Sequence, residues 1–193
     1  MSDVVIVGGG PAGLSAALFT GKNGLDTLVF DTDKTWMHKA HLFNYPGIGS
    51  IDGSTYLSVL RGQVDDFGVE RKQGTSVKVI ESTETGFSIH TEDEEFSASY
   101  VVLATGANRD LAKSSGCAMS DEGIVEVGVT METSVGNLYA TGAMVRAEEW
   151  QAVIAAGDGA AAALNILSKE KGERFHDFDV PADATELFGS LID

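Results

Sequence analysis

An apolar run, Val4-Val5-Ile6-Val7, gives way to Gly8-Gly9-Gly10-Pro11-Ala12-Gly13 and then to an alanine-rich stretch of helical character. Strand, glycine turn and helix in that order put free backbone N–H groups and a helix N-terminus where a pyrophosphate can sit. Gly8 permits the tight turn, Gly10 lets a diphosphate approach the main chain, and Gly13 lets helix and strand pack closely. Asp31 ends the next apolar run, Thr27 to Phe30, where a ribose hydroxyl needs an acceptor. The plainer reading is a turn that joins strand to helix and holds nothing. The acid in register argues against it.

At 193 residues the chain is expected to form one domain with a sizeable core. Its formal charge of −16 argues against nucleic acid and anionic membrane as partners, since phosphate binding needs clustered Lys and Arg. No stretch approaches the roughly 20 apolar residues that span a bilayer, and no basic segment precedes a signal-like apolar run. The single cysteine, Cys117, excludes an internal disulfide and fits a reducing compartment. A cytoplasmic protein is the expectation. The acid is dispersed, at Asp65-Asp66, Glu92-Asp93-Glu94-Glu95, Asp121-Glu122, Glu148-Glu149, Asp177 and Asp179. Such a surface suits a halophilic cytoplasm, where salt screens self-repulsion; an acidic docking face for a basic partner is the alternative.

The first helix is expected over Ala12 to Asn23, with Gly24 at the C′ position that favours left-handed geometry. An irregular stretch, Thr32 to Ser54, precedes an amphipathic helix from Thr55 to Phe67 with Leu57, Leu60, Val64 and Phe67 on one face. Three β segments, Ser76 to Glu81, Phe87 to Thr91 and Glu95 to Ser99, predict a meander. Tyr100 to Ala104 reads as a buried parallel strand ending at Thr105-Gly106. Residues 107–123 show no periodicity; Ile124 to Val129 and Leu138 to Thr141 are predicted strands, and Glu148 to Leu167 a long helix. Gly157 and Gly159 inside that helix cost about 1 kcal/mol each against alanine, so a closely approaching neighbour is expected there. In the tail, Asp183 as N-cap, Glu186 at the capping-box position and the apolar Leu187, Phe188, Leu191 and Ile192 predict a short helix.

With these pieces in order, the chain resembles the FAD domain of the thioredoxin-reductase branch of the two-dinucleotide-binding flavoproteins. Four motifs carry the match: Gly8 to Gly13 with Asp31; Asn44-Tyr45-Pro46-Gly47; Leu103-Ala104-Thr105-Gly106-Ala107; and Thr133-Ser134-Val135 with Leu138 to Gly142, Gln151 and Ala156-Gly157-x-Gly159. The resemblance implies an α/β fold, a three-layer Rossmann-like FAD-binding domain with a parallel sheet, helices on one side and the β-meander on the other. Residues 1–170 would form it, from halves 1–107 and 123–170 joined by 108–122, with 171–193 as a tail. It implies FAD as cofactor, with the pyrophosphate at Gly8, Gly10, Pro11, Ala12 and Gly13, the adenosine ribose on Asp31 and the adenine near Val77. Thr105 and Gly106 would touch the cofactor. The isoalloxazine would face Asn44 and the last helix, with Gly142, Ala143, Gln151 and Ala152 around it.

Three departures from the family pattern stand out. The NADPH-binding domain and its Cys-x-x-Cys pair, which the family inserts between the third and fourth motifs, are replaced by the short segment Asn108 to Glu122. The family's Gly-Asp is Gly142-Ala143, so an aspartate implied to bind the ribityl chain is missing. Registering Ala155-Ala156-Gly157-Asp158 as that motif is rejected, because Gln151 and the helix glycines then lose their counterparts and a strand must precede the motif. Asp33-Lys34-Thr35, followed by Trp36 and Met37, stands where the family has Gly-Gly-Gln. Trp150 replaces a family arginine and has two readings, stacking near the ring or filling the core. Cys117 reads as a thiol partner of the flavin or as a small buried residue. His38 and His41 would share a face on a helix, and Arg109 would neutralise a phosphate or pair with an acid.

The resemblance thus implies a single-domain FAD-dependent oxidoreductase. Its electrons would come from outside, from NADPH or NADH on an open flavin face, a redox protein or a partner subunit; the family is dimeric through its FAD domains. The rival is a non-catalytic FAD- or nucleotide-binding module. The dispersed acid predicts a melting temperature that rises from dilute to molar salt, and an unchanged or lowered value would contradict the halophilic reading.

Overall fold

Val4 to Val7 are almost completely buried because the strand they form, β1 (Ser2–Val7), has parallel partners on both sides. Its neighbours are β2 (Thr27–Asp31) and β8 (Glu95–Leu103), with Val4 opposite both Thr27 and Tyr100. The structure, a computed structural model, describes residues 1–180; the helix expected over Asp183 to Ile192 lies outside the described residues.

The remaining strands are β3 (His41–Leu42), β4 (Ile51–Asp52), β5 (Glu70–Gln73), β6 (Val79–Thr83), β7 (Gly86–His90) and β9 (Leu138–Ala140). One sheet runs in the order β5-β2-β1-β8-β7-β6, with β9 also on β8, while β3 and β4 form a separate antiparallel pair. β8 organises this arrangement. Its first half pairs antiparallel with β7, Phe87 opposite Ala98, and its second half pairs parallel with β9, Val102 opposite Tyr139. The meander and the returning chain therefore divide one strand between them. The expected separate segments Glu95 to Ser99 and Tyr100 to Ala104 are one continuous strand, because both stretches keep β1 as a neighbour from Ala98 to Leu103.

Helices α1 (Pro11–Lys22), α2 (Gly53–Asp66) and α4 (Ala152–Lys171) build the layer against the sheet, α1 touching both others. α1 ends as expected, with Gly24 at φ 84°. Asp52 caps α2 by accepting from Thr55 N at 2.9 Å. α4 begins later than its expected start at Glu148, because Gln151 is extended (φ −117°, ψ 142°) and serves as N-cap. It also runs on to Lys171, where Gly172 at φ 68° stops it.

Several elements escaped the sequence pattern, among them β3, β4 and a 3₁₀ turn (Trp36–Lys39) within the stretch expected to be irregular, and one expected element does not form. β5 is a charged edge strand, Glu-Arg-Lys-Gln, without apolar alternation. A one-turn helix, α3 (Asp110–Ser114), lies in the connection. The strand expected over Ile124 to Val129 is reduced to one bridge, Val125 with Met119. Its N–H groups have scattered partners, Val125 N donating to Met144 O and Glu126 N to Ala118 O, and Val129 is exposed.

The two helix glycines differ. A Cβ on Gly159 would overlap the carbonyl of Ala12, so α4 lies backbone to backbone on α1. Gly157 is exposed, and nothing lies within 4 Å of its Cβ position, so the close neighbour expected there is absent among the described residues. Gly159→Ala should cost about 1–3 kcal/mol, whereas Gly157→Ala should gain about 0.5–1 kcal/mol. Urea unfolding of the two variants decides it; equal shifts would contradict this packing.

Candidate functional site

The loop after β1 is shaped by its neighbours before any ligand is considered. Gly8 has φ 124°, and a Cβ there would overlap the Ala104 carbonyl; one on Gly13 would overlap the Gly8 carbonyl. Gly10 differs. The nearest atom to its Cβ position is Thr35 Oγ1, at 3.6 Å, so the loop opens on that side. Gly10 is the N-cap of α1 and makes no side-chain cap bond, Pro11 follows it, and the first turn holds no acid. Leu14 N donates to Gly10 O, which leaves the Ala12 and Gly13 N–H groups outside the helical ladder. The result is a bare helix N-terminus with partial positive charge, suited to a diphosphate.

The second half of the chain arrives on the same spot. β9 leads through Thr141, whose N–H and hydroxyl both donate to Leu103 O, to Gly142 at φ 72°. The Cβ position of Gly142 lies 3.3 Å from Ala12 Cβ and 3.6 Å from Ala155 Cβ, between α1 and α4. Ala143 is half-buried in the 3₁₀ turn Gly142–Val145. Arg109 holds this turn, Nε donating to Met144 O at 3.1 Å, and Nη groups to Ala107 O, Ala143 O and Arg146 O at 3.3 Å. It serves four carbonyls, neither a phosphate nor an acid.

A carboxylate does stand near Ala143, from another element. Asp158 on α4 is buried; its Oδ2 accepts from Gly142 N at 3.3 Å, and Arg146 Nη2 donates to its Oδ1 at 2.5 Å. That charge is already committed. Further along, Asn44 Nδ2 donates to Gln151 Oε1 at 2.8 Å, joining the second and fourth motifs across the cleft mouth. Gln151 and Ala152 open α4, whose first turn also has no side-chain cap and no acid. Thr105 donates through its hydroxyl to Asn108 O, and Gly106, at φ 66°, is exposed with nothing within 4 Å of its Cβ position.

At the opposite end Asp31 is buried, and its carboxylate lies against Gly9. Arg61 Nη2 donates to Asp31 Oδ2 at 2.9 Å and to Asp33 Oδ1 at 2.6 Å, while Asp33 N donates to Asp31 Oδ1 at 2.8 Å. His38 links Asp33 (2.8 Å) to Ser54 (3.0 Å). The guanidinium of Arg61, and then His38, hold the Asp33 carboxyl below its ordinary range. Asp33 also takes φ 56°, which aspartate tolerates better than most residues. Arg61 Nε is buried and, among the described residues, has no acceptor. Val77 is buried in the core, in the connection that follows Gly74, whose N–H donates to Asp31 O.

These residues fit FAD at the diphosphate, where Gly10 leaves the cradle open, and at both helix N-termini. They fit less well at the ribityl position, where Ala143 supplies no acceptor. Among the described residues no three His, Cys, Asp or Glu gather to hold a metal. His38 sits in a 3₁₀ turn and His41 in β3, so they share no helix face. Cys117 is buried, and burial raises its thiol pKa, the opposite of an activated thiolate. Arg61 escaped the sequence reading, which takes α2 only for its apolar face. Asp158 did not: the sequence reading rejects it as a register for the Gly-Asp motif, yet from α4 its carboxylate reaches Gly142 N.

Residues 2–50 and 54–160 match the family described as Pyridine nucleotide-disulphide oxidoreductase. Over 108 residues, 54% of this chain and 34% of the relative, the sequence is 33% identical to the thioredoxin reductase of Listeria innocua. The chain spans about one third of the length of the curated relatives it matches. A thioredoxin reductase from Gloeobacter violaceus superposes with a TM-score of 0.83 at 22% identity, over 93% of this chain and 98% of that one. A ferredoxin-flavin thioredoxin reductase from Clostridium acetobutylicum gives a TM-score of 0.77 at 19% identity, over 89% and 99%. At these identities the solved structures speak for the fold. No described helix is long and apolar enough to cross a membrane.

Because the folded-state pKa of Asp33 lies below its unfolded value, its contribution to stability is present above about pH 4 and lost as pH falls through the lower folded value. The urea midpoint of Asp33→Asn should therefore trail the parent's at about pH 7 and converge with it by about pH 2–3. A gap that stays constant would contradict the Arg61–Asp33–His38 linkage.

Proposed function

The chain belongs to the pyridine nucleotide-disulphide oxidoreductase family, and from that premise we propose that it is an FAD-dependent oxidoreductase fed by an external electron donor. The observation that carries this reading is the meeting of the chain's two halves over one bare helix N-terminus: Gly142 lies against Ala12, and Asn44 bonds Gln151. Residues 1–170 would make up the FAD-binding unit, with 108–122 as the joining segment. Gly8, Gly10, Pro11, Ala12 and Gly13 would hold the diphosphate, with Thr105 and Gly106 beside it. Asp31 would accept from the adenosine ribose, and Val77 would lie against the adenine. Gly142, Ala143, Asn44, Gln151 and Ala152 would line the ribityl and ring end.

When bound, FAD supplies the hydride and electron chemistry, and the chain's own residues bind and orient it. The N-terminus of α4, capped by Gln151, carries partial positive charge and would stabilise negative charge on a ring bound against it. The sequence has one cysteine, and it is buried, so a dithiol relay is not built from these residues. NADPH or NADH docking directly, or a separate redox protein, is the proposed donor. A homodimer in the cytoplasm completes the reading. Ala143, and an Asp158 committed to Arg146, favour the second reading, a non-catalytic nucleotide-binding module.

The absorption spectrum of the purified or FAD-reconstituted protein separates the two. Flavin bands at near-stoichiometric occupancy that bleach with NADPH, NADH or a reduced redox protein support the enzyme, whereas a colourless protein that resists reconstitution supports the module. Asp31→Asn should weaken FAD by about tenfold or more, the worth of a hydrogen bond to a charged group, and leave FMN, which lacks the adenosine, unchanged. Equal losses for both flavins would contradict the ribose assignment.

A further inference from the structure

The sequence contains two tryptophans, and the fold brings them together. The ring centroids of Trp36 and Trp150 lie 5.3 Å apart with a tilt of 51°. Neither fills the core: Trp36 is 62% exposed and Trp150 43%. The core-filling reading of Trp150 is thereby set aside, and two large apolar rings stand at the mouth of the cleft. Trp150 directly precedes Gln151, the N-cap of α4, which accepts from Asn44.

The two rings are held differently. Trp150 is fixed at both ends, its Nε1 donating to Arg146 O at 3.2 Å and its backbone N to Glu148 O at 2.8 Å. Trp36 opens the 3₁₀ turn Trp36–Lys39, whose backbone is pinned to α2: Gly53 N donates to Ala40 O at 2.9 Å, and a Cβ on Gly53 would overlap the Met37 carbonyl. The turn's backbone is held, while its indole is the more exposed of the two rings. The tilt between the rings is neither the parallel-offset nor the edge-to-face arrangement that aromatic pairs prefer. A flat third ring against Trp150 would offer the parallel face that Trp36 does not, and the Asn44–Gln151 amides beside it provide a donor and an acceptor for heteroatoms on the edge of such a ring.

We propose that Trp150 is the stacking face for a planar heteroaromatic ring, the isoalloxazine of FAD, and that Trp36 covers this face in the ligand-free chain and leaves it on binding. This inference rests on the FAD reading above and adds to it a specific seat and a specific moving part. Against the pattern of the resembled family, Trp150 stands in place of an arginine and Trp36 follows the altered Asp33-Lys34-Thr35 segment.

The pair comprises every tryptophan in the sequence, so the part of the circular-dichroism couplet lost in Trp36→Phe or Trp150→Phe, as distinct from any signal of the Tyr45–Tyr56 pair, reports on this contact. The ligand-free protein should show the couplet, and Trp36→Phe or Trp150→Phe should abolish it. FAD should abolish it in the parent protein. ADP-ribose, which has the adenosine and diphosphate but no flavin ring, should bind and leave it intact. Trp150→Leu should weaken FAD by about tenfold while ADP-ribose affinity stays within about twofold, and Trp150→Phe should restore most of the loss. A couplet that persists at FAD saturation, or unchanged FAD affinity in Trp150→Leu, overturns the inference and leaves the FAD reading standing. If neither FAD nor ADP-ribose binds, the FAD reading falls, and this inference falls with it.

Discussion

The backbone contact between α1 and α4 is the constraint on which the cleft depends. Gly159 meets the Ala12 carbonyl with no room for a side chain, Ser15 Oγ donates to Ala156 O at 2.7 Å, and Gly142 lies on Ala12 from above. Helices usually keep 8–10 Å between their axes because side chains separate them. Small residues on both surfaces remove that spacer and seat the C-terminal half directly on the first turn of α1. Once α4 is seated there, β9 can claim the second half of β8, and Gln151 comes within reach of Asn44.

Two arginines make the short connection workable. Arg109 gathers four carbonyls from residues 107, 143, 144 and 146, so the chain turning back into the sheet keeps its backbone acceptors satisfied. Arg146 neutralises Asp158, a carboxylate buried between the helix and the Gly142 turn. At the other end Arg61 does the same for Asp31 and Asp33. The protein is strongly acidic overall, yet the two buried carboxylates beside the cleft, Asp31 and Asp158, are each paired with an arginine, Arg61 being shared with the exposed Asp33.

Much of this was legible before the structure. β1, the glycine loop, α1 and β2 follow from a continuous apolar run, a turn that only glycine allows, and an alanine-rich stretch, all local signals. The meander was legible in outline from its turn residues. What local pattern could not reveal was anything fixed by distant partners. β5 is made a strand by β2 rather than by its own charged residues, and Ile124 to Val129 reads as a strand yet finds no continuous ladder. Sequence placed Arg109 beside a phosphate or an acid, whereas the free carbonyls of a turn more than 30 residues away claim it. The partnership of Trp36 and Trp150 belongs to the same class, visible only once the segment leading into α4 is brought to the turn Trp36–Lys39.

The central claim is that the two halves of this chain form one cleft for a flavin dinucleotide without the domain that interrupts them in the resembled family. Its most direct test is a crystal structure of the protein grown with excess FAD. The account predicts density for the diphosphate against the Ala12 and Gly13 N–H groups and for the ring at the start of α4, beside Gln151. A well-ordered structure in which that cleft is closed, or in which FAD lies elsewhere, would contradict it.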